Sequence, residues 1–92
     1  MRTLPFDIFL KDMRQESIEV IAYSGYRGEE TPRTIILHDK TIEVFEILDR
    51  WIEEGFEERT RKRFFIVKGS DGIVYKIYCD EKVMEWFYVV ED

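Results

Sequence analysis

Apolar and polar positions alternate with a period of two through most of the second half of the chain. That rhythm predicts strands whose successive side chains leave opposite faces of a pleated ribbon. Phe65 and Val67 alternate with Phe64, Ile66 and Lys68; beyond Gly69-Ser70-Asp71-Gly72 the pattern resumes, with Ile73, Tyr75, Ile77 and Cys79 set against Val74, Lys76 and Tyr78. The intervening segment reads as a hairpin turn. Asp opens a type I turn through its own side-chain hydrogen bond, and Gly takes the positive-φ position that a Cβ penalises. A last strand is expected from about Met84 to Val90, with Trp86, Tyr88 and Val90 on one face and Phe87 and Val89 on the other.

The first half is less uniform. From Ser17 to Tyr23, Ile18, Val20 and Ala22 alternate with Glu19, Ile21 and Tyr23, a strand ended by the glycines and proline of residues 24–32. Arg33 to His38 is a second β-prone run, and His38-Asp39-Lys40-Thr41 a tight connection into Ile42 to Glu54. This third segment supports two readings. As a helix it offers Ile42, Phe45, Leu48 or Asp49, and Ile52, capped by Asp39 or Thr41 and ended by Gly55. As a strand it sets Glu43, Phe45, Ile47, Asp49 and Trp51 against Ile42, Val44, Glu46, Leu48, Arg50 and Ile52, and the short connection before it favours a hairpin partner. Gly55 to Lys62 reads as a charged loop. Residues 1–16 read either as one or two helical turns running from Pro5 through Phe6, Phe9 or Leu10, and Met13, or as an extended arm. In both cases Phe6, Phe9 and Leu10 are expected to cover an open edge or end of the sheet.

These elements predict a single domain over residues 1–92, an N-terminal arm of 1–16 followed by a β-domain of 17–92. The fold class is all-β, a curved antiparallel sheet or small barrel of about six strands. An α+β fold with residues 42–54 helical is the alternative.

At 92 residues a single core is sufficient but not generous. Aromatic residues, 15% of the chain, must therefore supply much of the buried area. Charged residues reach 37%, against about 25% in typical soluble domains, and the net charge of −6 argues against nucleic-acid binding by the body of the domain. The charge is uneven. Glu43 to Glu58 holds seven acids and one Arg, whereas Arg59-Thr60-Arg61-Lys62-Arg63 carries four positive charges in five residues. The run reads either as a solvated loop that balances its acidic neighbour and guards a strand edge, or as a small anion- or RNA-contacting patch. Cys79 is the only cysteine, so no intrachain disulfide can form and a reducing cytoplasm is the expected compartment. The apolar residues near the N-terminus are interrupted by Asp7 and end at Lys11, so no signal peptide is expected, and no apolar run approaches the roughly 20 residues that cross a bilayer.

Candidate chemistry centres on Tyr23, Tyr26, Arg27, Arg33, Arg50 and Trp51, joined by Arg61, Lys62 and Arg63. Aromatics interleaved with Arg serve single-stranded nucleic-acid surfaces, where rings stack on bases and guanidinium groups meet phosphate, and they serve protein interfaces equally. The competing structural reading has Arg50 held by Asp49, Glu29 or Glu30 while Trp51 and the Tyr rings close the barrel mouth. No cofactor, metal or catalytic group is expected. His38 stands alone where a metal needs three or four converging ligands; a Ser24, His38 and Asp39 triad fails because neighbouring His and Asp on a tight turn point apart. Gly25 and Gly28 lack the Lys and Ser/Thr of a phosphate loop, Glu53-Glu54 and Glu57-Glu58 sit where burial cannot separate their pKa values, and Cys79 reads as a small core residue.

Tyr23-Ser24-Gly25-Tyr26-Arg27-Gly28-Glu29-Glu30-Thr31-Pro32-Arg33, taken with Ile47-Leu48-Asp49-Arg50-Trp51 and with Phe65-Ile66-Val67 through Asp71-Gly72 to Tyr75, resembles a family of small, uncharacterised prokaryotic cytoplasmic proteins carried as domains of unknown function. The likeness covers about residues 17–88. It implies a strand pair, an LDRW segment and a terminal hairpin, hence a long strand over 42–54, bulged near Asp49-Arg50, and it implies no chemistry. The functional expectation is a non-catalytic cytoplasmic module that contacts a protein partner or a second copy of itself through exposed aromatics and a sheet edge. The alternative is a small RNA or single-strand DNA binder that uses the aromatic and Arg residues above.

Overall fold

The computed structural model describes residues 2–5, 14–24, 30–55 and 60–90. They form seven strands: β1 (Arg2–Pro5), β2 (Arg14–Ser24), β3 (Glu30–Leu37), β4 (Lys40–Glu54), β5 (Arg61–Gly69), β6 (Val74–Asp80) and β7 (Glu85–Val90). Strands β2 to β7 close into a six-stranded antiparallel barrel through the β4–β5 pairing, and β1 adds to β4 in parallel. The fold is all-β, as the two-residue rhythm predicts. The helical reading of residues 42–54 is overturned: the segment is the longest strand of the barrel, because the tight β3–β4 turn returns the chain beside β3 and leaves its apolar row over the core. Arg2–Pro5 is likewise extended, while Phe6, Phe9, Leu10 and Met13 lie outside the described residues. No helix among the described residues is long and apolar enough to cross a membrane.

Alternation sorts the apolar side chains into two clusters. One draws on all six barrel strands and so fills the interior: Ile35, Ile42, Phe65, Val67, Tyr75, Ile77, Cys79 and Trp86 are buried there, with Ile18, Val20, Val44, Ile47 and Tyr88 packed against them. The other comes from β4 to β7 alone, from the positions between, and lies on the outer face: Trp51, Phe64, Tyr78 and Val89, flanked by Ile66 and Phe87. β5 is thus apolar on both faces, which is why Phe64 and Phe65 are consecutive and both buried.

The outer cluster is a ladder across four strands. Trp51 is the register partner of Phe64, Phe64 of Tyr78, and Tyr78 of Phe87. Their ring centroids stand 5.3, 4.8 and 5.0 Å apart with interplanar angles of 4°, 29° and 24°. Such pairs contribute about 0.5–1.5 kcal/mol each beyond area burial, a large share of the roughly 5–15 kcal/mol by which a domain is stable. The Lys76 ammonium lies 5.5 Å from the Trp51 ring centre and 5.7 Å from that of Phe64, and Lys62 lies 5.4 Å from that of Tyr78, so the ladder is also faced by cations.

Two turns set the register. In the β3–β4 hairpin Leu37 pairs with Lys40, and both residues between, His38 (φ 50°) and Asp39 (φ 63°), adopt the left-handed conformation of a type I′ turn without the usual glycine. In the β5–β6 hairpin Gly72 takes φ 83° and its N–H donates to the Gly69 carbonyl at 3.0 Å. Asp71 organises that turn: its carboxylate accepts from the Ile73 N–H at 3.0 Å and from the Tyr75 hydroxyl at 2.6 Å, and stands 3.5 Å from Lys40 Nζ on the neighbouring turn. Those bonds, that of Tyr75 foremost, hold Asp71 below its ordinary value of 3.8. Burial, then the Asp71 carboxylate, pushes Tyr75 up to about 12; burial and the Asp80 charge push Tyr78 to about 12 as well, against a hydrogen bond donated to Gln15 Oε1.

Gly69 is fixed by contact: a Cβ there would stand 2.6 Å from Ile42 Cγ2, on a buried branched side chain that cannot move aside. Gly69→Ala is expected to cost about 1–3 kcal/mol by overpacking, read from urea unfolding. Titration gives a second expectation. Asp71 favours its ionised form in the fold, so its contribution is complete above the ordinary aspartate value and is lost as the pH falls below it; Tyr75 and Tyr78 favour their neutral forms, so theirs holds below the ordinary tyrosine value of 10.0 and is lost as the pH rises towards 12. Phenolate absorbance should show two tyrosines that ionise well above 10.0 and together with unfolding. In Asp71→Asn the acid limb of the stability curve should flatten, and an unchanged limb would refute the assignment.

Candidate functional site

Three extra residues open a cleft in the barrel wall. In the β2–β3 ladder Ile21 pairs with Thr34 but Ala22 pairs with Pro32, which leaves Arg33 as a bulge. In the β4–β5 ladder Val44 pairs with Gly69 and Glu46 with Lys68, then Ile47 with Val67 and Asp49 with Ile66, which leaves Phe45 and Leu48 as two more. A bulge bends its strand, raises the local twist and re-aims a side chain. Placed here, the three part β3 from β4. The last pair between them is Thr34 with Glu43, where the Thr34 hydroxyl donates to Glu43 Oε2 at 3.2 Å. Beyond it, among the described residues, no strand pairs with that side of β4 until Arg2 of β1 meets Trp51.

The gap is a groove of about 470 Å³ lined by Tyr23, Thr31, Pro32, Arg33 and the β4 run from Val44 to Ile47. That volume lies within the usual range of ligand sites. Val44 and Ile47 reach it from the barrel core, and Pro32 is buried. Phe45 is 75% exposed, Tyr23 59% and Leu48 47%, so the bulged apolar side chains add little to the core and form an apolar rim. The chemistry on offer is of two kinds: apolar area, and backbone N–H and C=O groups along both lips that no strand uses among the described residues. Arg33 and Glu46 supply charge of each sign.

No family profile, curated protein or solved structure matches the chain. The cleft is therefore read from its own residues. Of the side chains singled out in the sequence, Tyr23 and Arg33 line it, and Arg50 is exposed near the far end of the same open edge. Trp51 is not on an open face: it is 6% exposed, stacked on Phe64 in the outer ladder, with its indole N–H donating to Glu53 Oε2 at 2.7 Å. Nor does it close a barrel mouth. Of the basic run, Arg59 lies outside the described residues and the other three make local contacts: Arg63 is buried with Nε 3.3 Å from Glu81 Oε2, Arg61 Nε is 3.4 Å from the same oxygen, and Lys62 is half-buried at the Tyr78 ring. Tyr26 and Arg27 lie outside the described residues.

His38 stands on its turn with Nε2 2.8 Å from Glu16 Oε2 at the surface, and Cys79 is buried in the core. Among the described residues no group of three or more His, Cys, Asp or Glu is placed to hold a metal ion. Sequence reasoning missed Val44, Phe45 and Ile47. Their signal is a change of phase: the apolar row runs on even positions through Ile42 and Val44 and on the odd position Ile47 next, which a strand achieves only by inserting a residue.

Two substitutions separate rim from ladder. Trp51→Ala is expected to cost about 3–5 kcal/mol, as for other buried aromatics. Phe45→Ala should stay within about 0.5 kcal/mol, the ordinary range for exposed sites. Equal costs in urea unfolding would refute the division.

Proposed function

We propose that this protein is a non-catalytic interaction module that receives a segment of another protein in the cleft between β3 and β4. The observation that carries the reading is the β4 edge from residue 44 to 50, without a strand partner among the described residues and bordered by the exposed side chains of Phe45, Leu48 and Tyr23. Exposed strand edges pair readily, and proteins that do not use them cover them, as β1 covers residues 51–54 of the same strand. An edge left open beside exposed apolar side chains suits recognition by strand addition, in which backbone bonds give affinity and pockets give selectivity. A reducing compartment such as the cytoplasm agrees with Cys79, the one cysteine of the sequence, being buried in the core. Nucleic-acid binding draws less support, since Trp51 stacks inside the ladder and Arg61 and Arg63 are turned to Glu81.

A photo-crosslinking side chain tests this in the protein's own cells. Placed at residue 45 it should give a discrete adduct with a protein, and placed at Ser17, exposed at the end of β2 that pairs with β7 and away from the cleft, it should give none. Equal adducts from both positions, or none from residue 45, would overturn the proposal.

A further inference from the structure

We infer that β1 is a releasable strap: it lets go of β4 while the barrel stays closed, and its release joins residues 51–54 to the open edge of the cleft. Only the purpose given to release rests on the interaction reading above. The hold of β1 is slight by construction. The six barrel strands close through β4–β5 without it, and among the described residues β4 is its one strand partner. It pairs over four residues and in parallel, the less stable arrangement per residue, and Pro5 brings no N–H to the ladder. Closure over this stretch also leaves a polar atom unsatisfied. Glu53, the register partner of Leu4, is 2% exposed; its Oε2 accepts from the Trp51 indole, but its Oε1 is buried without a hydrogen-bond partner among the described residues. Such an oxygen favours whatever readmits water. A strand lifted from that side of β4 does so.

What the strap covers is the part of the edge best suited to pairing. Between Val44 and Asp49 the β4–β5 register slips at Phe45 and again at Leu48, whereas from Asp49 with Ile66 to Glu54 with Arg61 it runs without a break. The shielded backbone is therefore regular, and that of the cleft is not. Regular exposed edges are the ones that recruit other strands. With β1 in place an incoming segment meets only the bent lip. With β1 lifted it meets that lip and a regular run continuous with it, so the strap competes with the occupant of the cleft for β4.

Hydrogen exchange on the full chain tests the release. Amides of residues 51–54 that face β1 should exchange at least about a hundredfold faster than those of Phe65 and Ile77 in the barrel, and urea below the unfolding transition should leave their rates unchanged, since local opening exposes little surface. Register partners on neighbouring strands lie within reach of a disulfide. In Pro5→Cys with Glu54→Cys, oxidation should slow the same amides about tenfold or more, and reduction should restore them. Rates and urea dependence equal to those of the barrel would overturn the inference, as would oxidised and reduced chains that exchange alike. Competition is read in the cells. Thr3→Pro with Leu4→Pro, which removes two more donors from β1, should raise the residue-45 adduct about fivefold while the barrel amides stay protected; an unchanged adduct would overturn the competition. If no chain gives the adduct, the interaction reading falls and the release stands on exchange alone. If the adduct forms while residues 51–54 exchange only with the barrel, the module stands and the strap falls.

Discussion

The fold turns on what is asked of β4. One strand pairs with β3 through Lys40–Glu43, with β5 along its opposite edge from Val44 to Glu54, and with β1 at Trp51–Glu54. No regular strand keeps one face on a barrel core over such a length, because the curvature that closes six strands turns its inner row away from the axis. Two inserted residues resolve the conflict. Each resets which positions face inward, so Ile42 and Val44 serve the core before the first bulge and Ile47 after it, and Trp51 arrives on the outer face in register with Phe64. The closure of the barrel and the alignment of the ladder follow from these two insertions, which act with the bulge at Arg33 to part β3 from β4.

The ladder answers a different need. A barrel of this size holds only one layer of interior side chains, and a small domain has little buried area to offset the entropy of ordering its chain. Strands β4 to β7 add a second layer by burying their outer positions, with aromatic rings because a ring in cross-strand register covers area and stacks on its neighbour at once. The basic run of β5 is best understood beside it. Lys62 caps a ring, and Arg63, which pairs in register with Cys79, is buried and turned to Glu81, so these cations hold one end of the barrel together.

The strands with strict alternation were legible in the sequence. Ile18, Val20 and Ala22, then Tyr75, Ile77 and Cys79, carry one inward residue in two, and the Asp71-Gly72 turn has residues that state their own geometry. Periodicity failed where two physical demands share a segment. At Phe64-Phe65 both faces are buried, so alternation says nothing about which is inner, and Trp51 looked available only because no local pattern marks an outer layer. In β4 the bulges break the phase, and the broken row imitates a helical one: Ile42, Phe45, Leu48 and Ile52 fall at helical spacing because Phe45 and Leu48 are the inserted residues. Tyr23 and Arg33 were singled out for their chemistry and line the groove, whereas Phe45 was read only as one position of a strand.

The same insertions decide how exposed the edge is. Bulges and charged residues are common means of keeping a strand from pairing with other sheets, and Glu46 and Asp49 beside Phe45 and Leu48 supply both. Their effect depends on what approaches. A rigid sheet edge must match many residues at once, and a bent lip with a bulge every third residue denies it a straight row. A flexible chain can follow the bend residue by residue. Its ordering costs about 1–2 kcal/mol per residue, which a few backbone bonds worth about 1 kcal/mol each do not offset alone. Burying apolar side chains on Val44, Ile47 and Pro32 must supply the remainder, at roughly 1.5–3 kcal/mol for each one fully covered. Edge and groove are therefore useful only together, and in this fold the bulges at Arg33, Phe45 and Leu48 create both.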